Sequence, residues 1–266
     1  MKSLEITGNI GCINQCTFCP QSLLIREYSK RSNKYEMNLE DFKIYLSKVP
    51  KDVQIDFSGM SEIFQNKNAI EMIRYADEEG YSLVFYTTLA TLSKDRLLEI
   101  EDILFKSQII LHLPDNDGYT KIQIDDRYLE TLNALVFLKF GSSLPIVSNT
   151  YTTVHEKIIE SGIRMDILNP ISLVNNDFLI SRGNNLSNVK QVIKKEGNII
   201  CQNGGPNHNV LLPNGDVLLC CMSYNYTTEI IGNFLENNYE EISSKAKTMI
   251  NRPNSICRFC EKSTMI

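Results

Sequence analysis

The chain has no apolar run approaching the ~18 residues that a membrane-spanning helix needs. It also lacks blocks of like charge, internal repeats and low-complexity tracts. A helical membrane protein, a repeat array and a charged interaction tail are therefore not expected. Basic charge is scarce: 27 Lys and Arg stand against 32 Asp and Glu, with a sequence pI near 5.4, so a dedicated nucleic-acid surface is not expected either. The first strand-like segment begins at Leu4, which leaves no stretch that reads as a signal peptide, and a cytoplasmic location is the expectation. What is present is ordinary for a globular protein. Its 266 residues, 42% hydrophobic and 22% charged, can bury one large α/β core or a core with a small appendage.

Cysteine is plentiful and unevenly placed. Cys12, Cys16 and Cys19 crowd into eight residues, Cys201 is alone, Cys220 and Cys221 are adjacent, and Cys257 and Cys260 form a C-x2-C pair. In a reducing compartment such clusters are metal ligands or catalytic groups more often than disulfides. The first three occur as C-x3-C-x2-C within Gly11-Cys12-Ile13-Asn14-Gln15-Cys16-Thr17-Phe18-Cys19-Pro20. Three thiolates fit three irons of a [4Fe–4S] cluster whose fourth iron stays open, or a structural zinc completed by a distant residue. Phe18 is placed to pack near a bound planar group. Cys201, Cys220, Cys257 and Cys260 are the inventory for one complete four-thiolate site, suited to iron–sulfur or zinc alike. Cys221 is left over as an alternate ligand, a hydrogen-donating thiol, or a buried small side chain.

Through about residue 175 strand-like and helix-like segments alternate. The strand candidates are 4–7, 53–57, 83–87, 109–113, 146–149 and 165–168, with helical candidates at 39–48, 68–79, 93–100, 128–139 and 153–161. Asn38 before Leu39 reads as a helix start, and Gly80 and Gly162 read as stops. Six βα units predict a parallel sheet, and six are too few for a closed eight-stranded barrel. The fold class expected is α/β, a partial (β/α)6 TIM-like barrel over residues 1–175. A connector follows over 176–200, then a small cysteine-rich hairpin and helix domain over 201–266. Val210–Leu219 reads as a hairpin about Asn214-Gly215, and a helix is expected at 239–250.

The C-x3-C-x-Phe-C motif after a first strand, followed by a partial barrel, resembles the radical S-adenosylmethionine enzymes. In that family the open iron chelates the amino and carboxylate groups of the methionine moiety. Cleavage of the sulfonium then gives a 5′-deoxyadenosyl radical that abstracts hydrogen from substrate. Asp56-Phe57-Ser58-Gly59-Met60-Ser61-Glu62 resembles the family's glycine-rich element. Ser61 stands where glycine is common and Ile63 where proline is. The resemblance implies that Glu62 accepts from the methionine ammonium and that Ser58, Gly59 and Ser61 border the cofactor. Thr88, Asn149 and Ile171, at the ends of later strands, are further candidate cofactor contacts, and His112 and Asp115 are candidate substrate contacts.

The later cysteines resemble the twitch domain, a shortened SPASM domain. This implies one auxiliary [4Fe–4S] cluster, so two clusters per chain, S-adenosyl-L-methionine as cosubstrate, and an electron donor such as flavodoxin or ferredoxin. The layout resembles the small twitch-bearing dehydrogenases of the family. With the first cluster at residue 12, no peptide-recognition domain is expected before it. The expectation is oxidation or epimerisation of a small polar substrate, a sugar, nucleotide sugar or cyclitol, with Arg182 in the connector holding an anionic group. The alternatives are radical modification of a peptide side chain, an iron–sulfur electron carrier, and a zinc-stabilised binding protein.

Overall fold

The computed structural model describes residues 2–173, 181–202 and 207–266; the head of the expected connector, including Ile180, lies outside the described residues. Six strands run parallel in chain order: β1 (Ser3–Ile6), β2 (Gln54–Phe57), β3 (Leu83–Thr87), β4 (Gln108–Leu113), β5 (Ile146–Thr150) and β6 (Ile171–Ser172). Their apolar residues, among them Leu4, Ile6, Ile55, Phe57, Phe85, Ile109 and Leu111, join the inner faces of the crossover helices in one core. Helix boundaries follow capping chemistry. Asn38 accepts from the Asp41 amide ahead of helix Leu39–Leu46, and Asn238 and Glu241 form a reciprocal capping box on helix Tyr239–Met249.

The C-terminal strands extend the same sheet. After β7 (Ile199–Cys201), β8 (His208–Leu211) pairs parallel with β1, and β9 (Asp216–Leu218) and β10 (Ile230–Asn233) continue antiparallel beyond it. The sheet therefore runs β10-β9-β8-β1-β2-β3-β4-β5-β6, an open mixed sheet that places β1, the strand leading into the cysteine motif, near its middle. A separate two-stranded sheet pairs β7 with β11 (Ser263–Met265).

Two segments depart from the sequence expectation. Residues Met165–Leu168 form a single helical turn, not a strand. Asn169 ends it in the left-handed region (φ 37°) ahead of Pro170, a helix-stop pair that outweighs the apolar character of so short a run. The sixth strand is therefore Ile171–Ser172 itself. The helix Gln21–Tyr28, which follows the cysteine motif directly, had no counterpart in the strand-and-helix reading.

The hairpin is tied to that helix's end through Asp216. This buried carboxylate accepts from Arg31 Nε (3.0 Å), Asn233 Nδ2 (2.8 Å), Asn214 Nδ2 (2.8 Å) and Tyr226 Oη. Burial alone would raise its pKa, but these donors more than offset it and hold the carboxyl below its ordinary value. Asp216→Ala strands several donors and is expected to cost about 2–4 kcal/mol, read as a lower urea midpoint. Because the folded-state pKa is depressed, the Asp216 contribution is present at neutral pH and is lost as pH falls through it.

Candidate active site

The loop carrying Cys12, Cys16 and Cys19 is fixed from outside. Ile13 N donates to Gln65 Oε1 (2.9 Å), Gln65 Nε2 donates to the Gly11 carbonyl (3.2 Å), and Asn14 Nδ2 donates to Thr88 Oγ1 (2.8 Å). All three thiols are free and half-buried, and they interact electrostatically with one another. Burial pushes the Cys12 thiol up, and burial with its two neighbours pushes Cys16 up to about 12. A desolvated pocket keeps such groups neutral unless a cation replaces their protons, and an iron cluster fits this donor set. Cys19 Sγ lies 3.4 Å from Tyr224 Oη, so a residue beyond the hairpin reaches the first cysteine group.

The loop after β2 packs against β1. Gly59 has φ 61°, and a Cβ there would fall 2.2 Å from Thr7 Oγ1, so only glycine permits this approach. Met60 N donates to Thr7 Oγ1 (3.1 Å), and Ser61 Oγ accepts from Asn9 N (3.3 Å). Glu62 is buried, and its carboxylate accepts from Thr87 Oγ1 (2.8 Å), Thr88 N (2.7 Å), Thr88 Oγ1 (2.7 Å) and Phe64 N (3.3 Å). Four donors occupy the capacity of a carboxylate. Glu62 and Thr88 thus lock the loop to the end of β3, with the Glu62 backbone beside the Cys12 thiol.

Other anticipated residues gather at the ends of β4 to β6. His112 pairs in register with Asn149, and Asn149 with Ile171. Phe18 stacks on Tyr151 (4.8 Å between centroids, 16°) and tilts against His112 (5.3 Å), while Tyr151 stacks on Tyr119 (4.1 Å). His112 Nε2 and Asn149 Oδ1 are buried with no close hydrogen-bond partner beyond the weak action of the Asn149 side chain on the His112 ring. Burial lowers His112 to about 4, so its ring is neutral at physiological pH. Unsatisfied polar atoms beside an aromatic stack fit a bound polar group such as a nucleoside. Asp115 does not have the substrate-facing position expected of it. Both its oxygens are spent on Asp117 N (3.0 Å), Tyr119 N (2.9 Å), Thr120 N (2.8 Å) and Thr120 Oγ1 (2.7 Å), which close the 115–120 loop.

The second cysteine set comes together in space. Cys257 and Cys260 are buried, Cys201 and Cys220 half-buried, and all four are free. Cys220 and Cys201 each interact with the Cys257–Cys260 pair. Burial pushes Cys257 up to about 11 and also raises Cys220 and Cys260. The backbone around them is held by cations. Arg258 donates to the carbonyls of Arg252, Lys195, Gly197 and Asn251 (2.8–3.0 Å), and Lys195 Nζ donates to the Cys260 carbonyl (2.5 Å).

A cavity of about 650 Å³ lies between the two regions. Ser58, Gly59 and Ser61 line one side, Cys201, Cys220, Cys221 and Cys260 another, with Glu5, Asp56 and Tyr86 from β1 to β3 between them. Arg182 also reaches into it. Its backbone is left-handed (φ 55°), and Gly183 beside it packs so closely on Ile256 that a Cβ would fall 2.4 Å from Cγ1. The guanidinium interacts electrostatically with Tyr224, Cys221, Cys19 and Glu5, and has no hydrogen bond or ion pair among the described residues. His112 and Asp115 are absent from the cavity wall. Sequence reasoning missed Glu5, Tyr151 and Tyr224. Glu5 carried a legible signal, an acid between Leu4 and Ile6 on a central parallel strand, where both faces are ordinarily apolar. Nothing local marked the tyrosines.

Residues 201–261 match the SPASM family, described as an iron–sulfur cluster-binding domain. No curated protein matches the chain by sequence. Among solved structures, BtrN in complex with AdoMet and 2-DOIA is similar with a TM-score of 0.62 at 18% identity, over 98% of this chain and 93% of that one. Native anSMEcpe with bound AdoMet is similar at 0.55 and 15%, covering 97% and 82%. Streptococcus suis SuiB bound to precursor peptide SuiA is similar at 0.53 and 15%, covering 97% and 69%. The architecture expected from the resemblance, a radical S-adenosylmethionine fold carrying a SPASM-type domain, is the one observed. Among the described residues no helix is long and apolar enough to cross a membrane.

Proposed function

We propose that this chain, with the fold of the radical S-adenosylmethionine enzymes and a SPASM-type domain, oxidises or epimerises a small polar substrate: a sugar, nucleotide sugar or cyclitol. Cys12, Cys16 and Cys19 hold a [4Fe–4S] cluster that receives S-adenosyl-L-methionine. Cys201, Cys220, Cys257 and Cys260 hold a second, auxiliary cluster. The observation that carries this reading is the single cavity bordered both by the loop packed beside the first cysteines and by three cysteines of the second set. A substrate there has a hydrogen-abstracting group on one side and an electron acceptor on the other. S-adenosylmethionine, when bound, supplies the carbon-centred radical that takes a hydrogen atom.

The protein's own residues bind and orient. Phe18, His112, Asn149 and Ile171 offer an aromatic stack and unpaired polar atoms to the nucleoside, while Ser58, Gly59 and Ser61 border the methionine end. Arg182 meets an anionic or hydroxyl oxygen of the substrate. Flavodoxin or ferredoxin supplies the electron. We take residues 1–175 as the barrel part and 201–266 as the auxiliary-cluster part of one continuous sheet.

BtrN, whose structure holds 2-DOIA, and SuiB, whose structure holds a peptide, bracket the substrate classes. The Glu5 and Asp56 carboxyls and the Arg182 guanidinium on the cavity wall favour the first. The test is deuterium transfer from carbon-deuterated UDP-glucose, myo-inositol and glucose 6-phosphate into 5′-deoxyadenosine. Transfer from at least one supports the reading, whereas transfer only from a deuterated peptide favours the rival.

Cys221 lines the cavity but is surplus to the four-thiolate set. Its replacement by Ala separates two outcomes. If the reaction is oxidation, iron content and ketone yield are expected to stay within about twofold. If it is epimerisation, with Cys221 returning the hydrogen, product is lost while 5′-deoxyadenosine formation persists.

A further inference from the structure

We propose that Glu5 is the proton acceptor in the oxidation of a substrate hydroxyl. This rests on the reading above and goes beyond it, since that reading names no base. Removing a hydrogen atom from a carbinol carbon leaves a carbon radical that still bears its O–H. To become a ketone it must lose one proton and one electron. Cys201, Cys220, Cys257 and Cys260 would hold the cluster that accepts the electron, and the hydrogen atom would end on 5′-deoxyadenosine. The proton needs a carboxylate or imidazole in the same cavity.

Glu5 meets that requirement by position. It projects from β1 into the cavity wall that also contains Cys220 and Cys221, so proton and electron leave a bound substrate toward neighbouring groups. Its polar contacts leave room for another proton: Ser58 Oγ donates to Oε2 at 3.1 Å, and the Cys221 thiol lies against the carboxyl. Among the described residues it has no ion pair within salt-bridge distance. Its register partner across β2 is Asp56, a second carboxyl on the same wall, and like charges directly opposite repel. Asp56 is itself engaged by Gln54 Nε2 at 2.6 Å.

The electrostatics agree with this placement. Burial first, and Asp56 second, raise Glu5 to about 7, while Ser58, Cys221 and Arg182 pull it down. Tyr86 on β3 faces the same two carboxyls, His208 faces Asp56, and Val210, the β8 register partner of Glu5, is apolar. A base whose pKa lies near the working pH is well matched to proton transfer. The other carboxyls and imidazoles serve worse. On the same wall, Asp56 is engaged by Gln54 and His208 Nδ1 is paired with Ser3 Oγ at 2.8 Å. Away from it, Asp115 is saturated, Glu229 shares a pKa near 7 but lies outside the wall, and His112 is held neutral.

The test uses the reconstituted two-cluster chain and its Glu5→Gln, Glu5→Asp and Glu229→Gln forms. In infrared titration, two carboxyls per chain, Glu5 and Glu229, are expected to change protonation near pH 7 in the wild type. One signal is lost in Glu5→Gln and the other in Glu229→Gln; retention of both in Glu5→Gln would overturn the assignment. In single turnover with carbon-deuterated UDP-glucose, myo-inositol and glucose 6-phosphate, Glu5→Gln is expected to keep deuterium transfer into 5′-deoxyadenosine but lose ketone by ~10²-fold or more. Glu5→Asp restores part of the yield. Wild-type ketone formation rises with pH through about 7 as the base form appears, and this dependence vanishes in Glu5→Gln. Ketone yield within about twofold of wild type in Glu5→Gln overturns the proposal and leaves the functional reading standing. Failure of the wild type to transfer deuterium from any of these probes overturns that reading, and this proposal with it.

Discussion

Replacing Cys16 with Ala is expected to take the reconstituted chain from about eight irons to about four and to bring 5′-deoxyadenosine formation down to background. The size of the effect follows from geometry. The motif supplies three thiols, and two cannot anchor three irons. The carboxylates that act on these thiols are already occupied, Glu62 by Thr87, Thr88 and Phe64, and Asp115 by its own loop. The second cysteine set is bound into its own framework by Arg258 and Lys195 and does not fill the gap. Cys16→Ala removes a group that burial already holds neutral, so the fold itself is expected to lose no more than about 1–2 kcal/mol before metal is added.

The second large effect is expected at Cys257. Cys257→Ala should also leave about four irons, but these are the other four. 5′-Deoxyadenosine formation is expected to persist because the Cys12–Cys19 loop is held by Gln65 and Thr88 and by no contact with Cys257 among those described. Product formation falls by ~10²-fold or more, since the substrate radical loses its electron acceptor. Stability falls too. The β7–β11 pair is small, and the thiolate set would cross-link it to the hairpin through Cys201 and Cys220. Metal binding that links folding segments contributes directly to folding free energy, so the melting temperature of the reconstituted form is expected to fall by roughly 5–10 °C. Opposite patterns in these two variants, cleavage lost in Cys16→Ala and retained in Cys257→Ala, distinguish two clusters with different tasks from one shared site.

The sequence was most legible where a residue's role is local. The parallel strands stood out as apolar runs, Asn38 and Gly80 marked helix ends, and the cysteine spacings separated an early group of three from a later group. It misled at Met165–Leu168, where four residues are too few to show a period and the Asn169-Pro170 stop was the better guide. It was silent where function depends on distant segments meeting. The pairing of β8 with β1 carries Cys220 and Cys221 to the same cavity as Glu5, and no local pattern encodes a parallel pairing across some two hundred residues. For the same reason Tyr224 beside Cys19 was invisible. That Glu62 and Thr88 bind one another was equally invisible, since they lie 26 residues apart on different loops.

The most direct test of the central claim is anaerobic reconstitution followed by iron and sulfide counting and a cofactor-cleavage assay on the same sample. The account predicts about eight irons and eight sulfides per chain, with reductant-dependent conversion of S-adenosylmethionine to 5′-deoxyadenosine and methionine. Zinc bound by Cys12, Cys16 and Cys19, or a fully loaded chain that forms no 5′-deoxyadenosine, would contradict it.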